Sequence, residues 1–271
     1  MLKQFVDTQP KNLPIDILFE NKDILAINKP AGLVVHSDGK TIEPTVADWA
    51  LVHYPDMANV GEPVVLHKGT DKEHYIARPG IVHRLDRETS GVLILAKNQE
   101  SFLHLKAQFQ EREISKVYRT VVWGITKEKE GRIERPIGRS KTDFRKWSAE
   151  RFARGELRPA VTEYKTLAHI LDIPPMPGET VNQKKIAHQF SYLEVYPKTG
   201  RTHQIRVHLK AINHPVVADG LYAENHPKAL GFERTVLHAL QIEVEDTAGE
   251  RHIIKAPLPA DFIQFEQGFV Q

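Results

Sequence analysis

Short apolar runs and alternating segments dominate this chain, and only a few stretches carry the spacing of an amphipathic helix. Ile24 to Asn28 reads as a strand turned by Lys29-Pro-Ala-Gly32, and Val46 to Tyr54 as a helix stopped before Pro55. A loop rich in Gly and Pro follows, from Asp56 to Pro79. Val92 to Ala96 is continuously apolar, the pattern of a strand buried on both faces, with Thr89-Ser90-Gly91 bending into it. Asn98 offers an N-cap for a helix to about Arg112 that aligns Phe102, Leu105 and Phe109. Lys116 to Trp123 alternates as a strand, with Val117, Arg119 and Val121 on one side and Tyr118, Thr120 and Val122 on the other.

Later in the chain, Glu163 to Ile170 and Phe190 to Tyr196 predict an antiparallel pair joined by the Pro-rich Ile173 to Gly178 and a polar stretch from Asn182 to Lys185. Thr202 is expected to cap a helix to about Ile212 that is mostly buried, so its His203, Arg206 and His208 need partners. Val236 to Val244 and Arg251 to Lys255 frame the turn Asp246-Thr-Ala-Gly249. Many strands with few interspersed helices predict an α+β fold with a mixed, largely antiparallel sheet, not a doubly wound one. The expected organisation is a polar lead over 1–15 followed by one large domain of two lobes over 16–271.

Composition narrows the chemistry. At 271 residues, with 41% hydrophobic and 27% charged, the chain has the make-up of a soluble globular protein. No apolar run is long enough to span a bilayer, and Asp7, Asp16 and Glu20 stand where a targeting peptide avoids acids, so the expected location is the cytoplasm with no membrane partner. The absence of cysteine excludes disulfides, thiol nucleophiles and Cys-bound zinc. Among the fourteen histidines, His203 and His208 lie five apart on the predicted helix, which puts them on different faces and argues against a metal. The net charge of +2 gives no general basic coat, so any polyanion must be met by local patches. One such stretch runs from Arg132 to Arg158, where Arg135, Arg139, Lys141, Arg145, Lys146, Arg151, Arg154 and Arg158 outnumber the acids and Phe144, Trp147 and Phe152 are interleaved. That mixture suits phosphate contacts with base stacking, and equally suits an exposed connector.

The densest chemistry lies at His83-Arg-Leu-Asp-Arg-Glu-Thr-Ser-Gly91. Asp86 stands between Arg84 and Arg87 at the mouth of an apolar strand, and nearby cations lower a carboxyl pKa and favour the anion, a nucleophile or base. This segment resembles the catalytic motif of the RluA family of pseudouridine synthases, His-Arg-Leu-Asp-x-x-Thr-Ser-Gly, at every fixed position. Three further blocks fall in the family's order: Asp23 to His36, Lys116 to Gly124, and Leu193 to His208. Four ordered blocks, with a similar tail from Leu237 to Phe262, extend the likeness over almost the whole chain.

The resemblance implies an RNA-uridine isomerase with a bent central sheet and a cleft across its middle. It implies Asp86 as the essential carboxylate, attacking covalently or removing a sugar proton. Tyr118 would stack on the target base, and Arg201, with Arg206 as the alternative, would hold the carboxylate ionised. His83, Arg84, Leu193 and Arg206 would meet the substrate, Leu193 at the base. The implied partner is structured RNA, ribosomal or transfer, with a flipped uridine. A monomer without cofactor, metal or obligate protein partner is expected, lacking the small RNA-binding domain many relatives carry at the N-terminus. Two other readings compete with it: a non-catalytic RNA-binding protein, and a glycosidase, which needs a second carboxylate and for which Glu88 is the only acid close in sequence.

Overall fold

The computed structural model of the protein describes residues 8–39, 43–66, 73–150, 153–173 and 188–270. Arg151, Phe152 and most of the connection expected between the two strands of the long hairpin, 174–187, lie outside them. In chain order the elements are β1 (Asp16–Glu20), β2 (Ile24–Lys29), α1 (Val46–His53), β3 (Val64–Leu66), β4 (His74–Ile76), β5 (Ser90–Ala96) and α2 (Gln99–Glu111). Then come β6 (Ser115–Trp123), β7 (Glu130–Glu134), β8 (Ile137–Arg139), β9 (Trp147–Ser148), β10 (Arg154–Arg158), β11 (Val161–Ile173) and β12 (His188–Pro197). The chain closes with α3 (Gln204–Ala211), β13 (Leu237–Glu245), β14 (Arg251–Lys255) and α4 (Ala260–Phe269). The class is α+β, with antiparallel pairing in each of the registers that follow, and none of the described helices is long and apolar enough to cross a membrane.

The chain divides into two compact units, Met1–Ser115 with Ala239–Pro257, and Lys116–His238 with Leu258–Gln271. In the first, strands run in the order β1-β2-β5-β13, with β14 paired to β13. Every residue of β5 is buried, as its unbroken apolar run requires, and β2 lies antiparallel to it from Ile24 opposite Ala96 to Lys29 opposite Gly91. Asn98 caps α2 as expected, accepting from the Ser101 amide while the Ser101 side chain returns a bond to the Asn98 amide. An equivalent box starts α1, where Thr45 and Asp48 bond each other's backbone amides. The Thr-x-x-Asp signal for it begins in the sequence just before Val46.

In the second unit the order is β6-β12-β11-β7, and β10-β8-β9 form a separate small sheet. Phe190, Leu193, Val195, Phe232, Phe262 and Phe265 share its core. Helix α4 was not foreseen, although Phe262, Phe265 and Phe269 carry a helical spacing; Phe262 and Phe265 are buried, and the Tyr192 hydroxyl donates to Glu266 Oε1 at 2.6 Å. Helix α3 begins later than predicted. Thr202 does not cap it, because His203 occupies the N-cap position in a left-handed conformation with no side-chain cap bond.

One glycine in the first unit has no freedom to change. Gly91 has φ +110°, and a Cβ there would sit 2.1 Å from the Ala239 carbonyl oxygen, inside any allowed contact. Gly91→Ala is expected to cost more than about 2 kcal/mol in urea unfolding, or to leave no folded protein, whereas Gly268→Ala, at an open position in α4, leaves the midpoint unchanged or raises it. Equal stability of the two variants would contradict this packing.

Candidate active site

Asp86 is carried by the loop that leads into β5, and the loop is fixed from three sides within the first unit. Lys29, at the end of β2, is wholly buried, and its ammonium donates to the carbonyls of Leu33 (2.8 Å), Pro30 (2.9 Å) and Arg87 (3.0 Å). A buried ammonium is tolerable only with such a set of acceptors. The Gly32 amide donates to the same Arg87 carbonyl at 2.9 Å. Next to Asp86, Leu85 is sunk into the core at 5% exposure, and the Thr89 amide closes the turn on the Asp86 carbonyl at 3.1 Å. Asp86 itself is half-buried.

Its neighbours are used differently from the expectation. Arg87, expected as a cation beside Asp86, forks its guanidinium onto Glu43 with bonds of 2.5 and 2.6 Å, which draws its charge to another carboxylate. His83 was read as a substrate contact. Its Nε2 instead accepts the Ile94 amide at 2.9 Å, which fixes the proton on Nδ1, and its ring stacks on Phe109 with centroids 4.7 Å apart. That ties the loop to β5 and α2. Arg84 is exposed. Glu43 and Lys29 were missed as site-building residues, although the Lys29-Pro-Ala-Gly32 turn was visible.

In the second unit Tyr118 lies on β6, half-buried against the core and opposite Val195 of β12. Thr120 is opposite Leu193, so these side chains share one sheet face. Leu193 has no exposed surface, and in this conformation a base has nothing of it to touch. Lys116, two positions before Tyr118 on the same face, was also missed; burial holds its ammonium down to about 8.

The turn before α3 is organised by Gln204. Its Oε1 accepts from Thr199 Oγ1 (2.6 Å) and the Arg201 amide (3.0 Å), and its Nε2 donates to Val161 O (2.9 Å) and Thr162 Oγ1 (3.0 Å). The half-buried Arg201 precedes the helix and reaches the Pro159 carbonyl through Nε at 3.2 Å. Arg206, expected at the substrate, is buried and forks onto Asp219 at 2.6 and 2.8 Å; Asp219 Oδ1 also accepts the amides of Leu221 and Tyr222. Such a pair holds its guanidinium in one orientation. Asp219 carried no sequence signal.

The buried histidine of α3 is structural. His208 Nε2 donates to the Arg135 carbonyl and Nδ1 accepts from Thr162 Oγ1, both at 2.9 Å, so the ring is neutral, and burial first of all lowers its pKa. Among the described residues one group has the donor set of a metal site, Asp246, Glu250 and His252. Its atoms wire the β13–β14 turn: Asp246 accepts the Ala248 and Glu250 amides and pairs with His252 Nε2 at 2.8 Å.

The comparisons agree with the motifs. A model of the RNA pseudouridylate synthase family matches residues 23–211, well over half the chain. An uncharacterised RNA pseudouridine synthase of Synechocystis is 35% identical over 95% of this chain and 69% of its own length. Ribosomal large subunit pseudouridine synthase D of Neisseria meningitidis serogroup B is 35% identical over 93% of this chain and 60% of its length. The chain thus spans three fifths to seven tenths of these two relatives. The solved structure of human RNA pseudouridylate synthase domain containing 1 superposes with a TM-score of 0.65 at 25% identity, covering 93% of this chain and 85% of that one. The fold and the matched blocks place the chain in the RNA pseudouridylate synthase family. More narrowly, it belongs to the RluA family of these isomerases.

Two outcomes follow from the anchors. Lys29→Met leaves the Arg87 carbonyl with one donor fewer; turnover is expected to fall about 10²-fold, the scale of a 1 Å misplacement, with RNA affinity changed less than threefold, read by single-turnover kinetics and filter binding. Unchanged turnover would remove the anchoring role. His208 behaves as a buried neutral group with a depressed folded pKa, so the unfolded chain takes up its proton first as pH falls through the ordinary value of 6.5. Its stability contribution is full above that pH and is lost below it, at no more than about 1.4 kcal/mol per pH unit. His208→Gln should flatten the fall of thermal midpoint between about pH 6.5 and 5, and an unaltered slope would contradict the assignment.

Proposed function

We propose that the protein isomerises a specific uridine in structured RNA to pseudouridine, with Asp86 as the essential carboxylate. The observation that carries this reading is the loop itself: a half-buried acid whose backbone is clamped by the buried Lys29 ammonium and whose neighbouring side chains point into the core or onto Glu43. A carboxylate maintained in this way is pre-positioned for chemistry. The reaction balances within one nucleotide. The bond from ribose C1′ to N1 breaks, the bond from C1′ to C5 forms, C5 loses its proton and N1 gains one, so no oxidant or co-substrate enters.

Residue roles follow from chemistry and position. Asp86 acts on the sugar or base of a uridine swung out of its stack. Tyr118 offers its ring to that base and its hydroxyl to the proton at C5. Arg206, held by Asp219, supplies the fixed positive charge the reaction needs, and Arg201, which reaches the Pro159 carbonyl, joins the exposed Arg84 in meeting RNA phosphates. Large-subunit ribosomal RNA is the preferred substrate over transfer RNA, because relatives from several bacteria carry that name.

The test is Asp86→Asn assayed for pseudouridine in unmodified large-subunit ribosomal RNA transcripts. Loss of at least about 10³-fold is expected, with thermal midpoint and RNA affinity retained. Product formation at the wild-type rate would end the proposal.

A further inference from the structure

The small sheet of the second unit carries a feature the active-site residues do not use. Strands β8 and β9 are joined by a turn, 140–146, in which the backbone is densely bonded: Ser140 N to Lys146 O at 3.0 Å, Lys146 N to Asp143 O at 3.0 Å, Thr142 N to Ser140 Oγ at 3.2 Å and Arg145 N to Asp143 Oδ1 at 2.9 Å. The sheet has its own anchor beneath, a core of Ile137, Ala149, Ala160, Val207 and Tyr222. This ordered turn nevertheless holds Phe144 out at 83% exposure, the highest among the exposed large hydrophobic residues described. Folding gains almost nothing from a phenyl ring in that place, where burial would contribute about 2 kcal/mol.

Cationic residues lie on the same turn and on the strands that carry it, with Arg154 of β10 opposite Arg139 of β8. Arg139 bonds the Phe144 carbonyl at 3.2 Å and lays its guanidinium 4.2 Å from the centre of the Trp147 ring. Arg145 and Lys146 have carboxylate partners in Asp143 and Glu224. Arg139 and Arg154 have none among the described residues, and both are exposed. A rigidly displayed aromatic ring with nearby guanidinium groups that no described carboxylate neutralises is the arrangement that stacks on a nucleobase while phosphates take the charges. A protein partner would be met better by a contiguous apolar patch, and this ring is flanked by Lys141, Thr142 and Arg145, all exposed.

We infer that the β8–β9 turn is a second RNA-binding site, in which Phe144 stacks on an unpaired base of the same RNA and Arg139 and Arg154 bind the phosphates that flank that base. The identity of the ligand rests on the RNA-isomerase reading; the stacking surface does not depend on the chemistry at Asp86.

The probe is an unmodified large-subunit ribosomal RNA transcript, with affinity measured by filter binding over a salt series. Phe144→Ala should weaken binding at least about fivefold, the lower end for one stacked base, while Phe144→Trp keeps wild-type affinity. The double change Arg139→Ala with Arg154→Ala should reduce the slope of log affinity against log salt by about one to two. Phe144→Ala binding within twofold of wild type overturns the inference, and so does Phe144→Leu binding as tightly as Phe, since an aliphatic chain does not stack. The thermal midpoints of these variants should match wild type, because the ring touches no core. Should the wild-type protein form no pseudouridine while Phe144→Ala still weakens binding, the surface stands and the Asp86 reading falls.

Discussion

A carboxylate on a loop is useful to a reaction only when the backbone carrying it is held still, and here the holding is done by one buried ammonium. Lys29 has no solvent-accessible surface and spends its three hydrogens on three carbonyls, one of them that of Arg87, directly after Asp86. Burying a lysine with fewer acceptors would cost several kcal/mol or discharge it. The arrangement is therefore self-enforcing: the turn at Lys29-Pro-Ala-Gly32 and the Asp86 loop each complete the other. His83 adds a second tie through the Ile94 amide, and Leu85 a third through the core.

The second unit reaches rigidity by a different route, with neutral groups. Gln204, Thr199, Thr162 and His208 form a chain of hydrogen bonds in which each donor has an acceptor, from the turn before α3 to the Arg135 carbonyl. Satisfied buried networks of this kind specify one conformation. They place the segment carrying Arg201 and Arg206, and Asp219 then orients the Arg206 guanidinium. Arginine suits that position because its planar fork binds one carboxylate through two nitrogens and stays charged at any working pH.

Much of this was legible in the residues, and the misses have physical causes. The unbroken apolar run of β5, the Asn98 cap and the alternation of β6 are local signals, and local signals survive into the fold. The flanking charges of Asp86 misled because sequence adjacency says nothing of where a long side chain turns: Arg87 found Glu43, more than forty positions away. Leu193 shares a sheet face with Tyr118 but lies deeper in the core with no exposed surface, and the ring of His83 is taken up by the Ile94 amide, neither of which the motif alone shows. Asp219 was invisible because a buried partner for an arginine is a long-range fact. Helix α4 shows in the sequence only as the spacing of Phe262, Phe265 and Phe269, too few positions to set a helical period apart from the strands before it.

The central claim is that one carboxylate at position 86 converts one class of uridine. The most direct measurement maps pseudouridines in ribosomal and transfer RNA from cells lacking the gene and from the same cells supplied with the wild-type or the Asp86→Asn chain. The account predicts at least one position, in ribosomal RNA, that disappears with the gene, returns with the wild-type protein and stays unmodified with the Asn variant. A modification map indifferent to the gene, or one restored by the Asn variant, would contradict it.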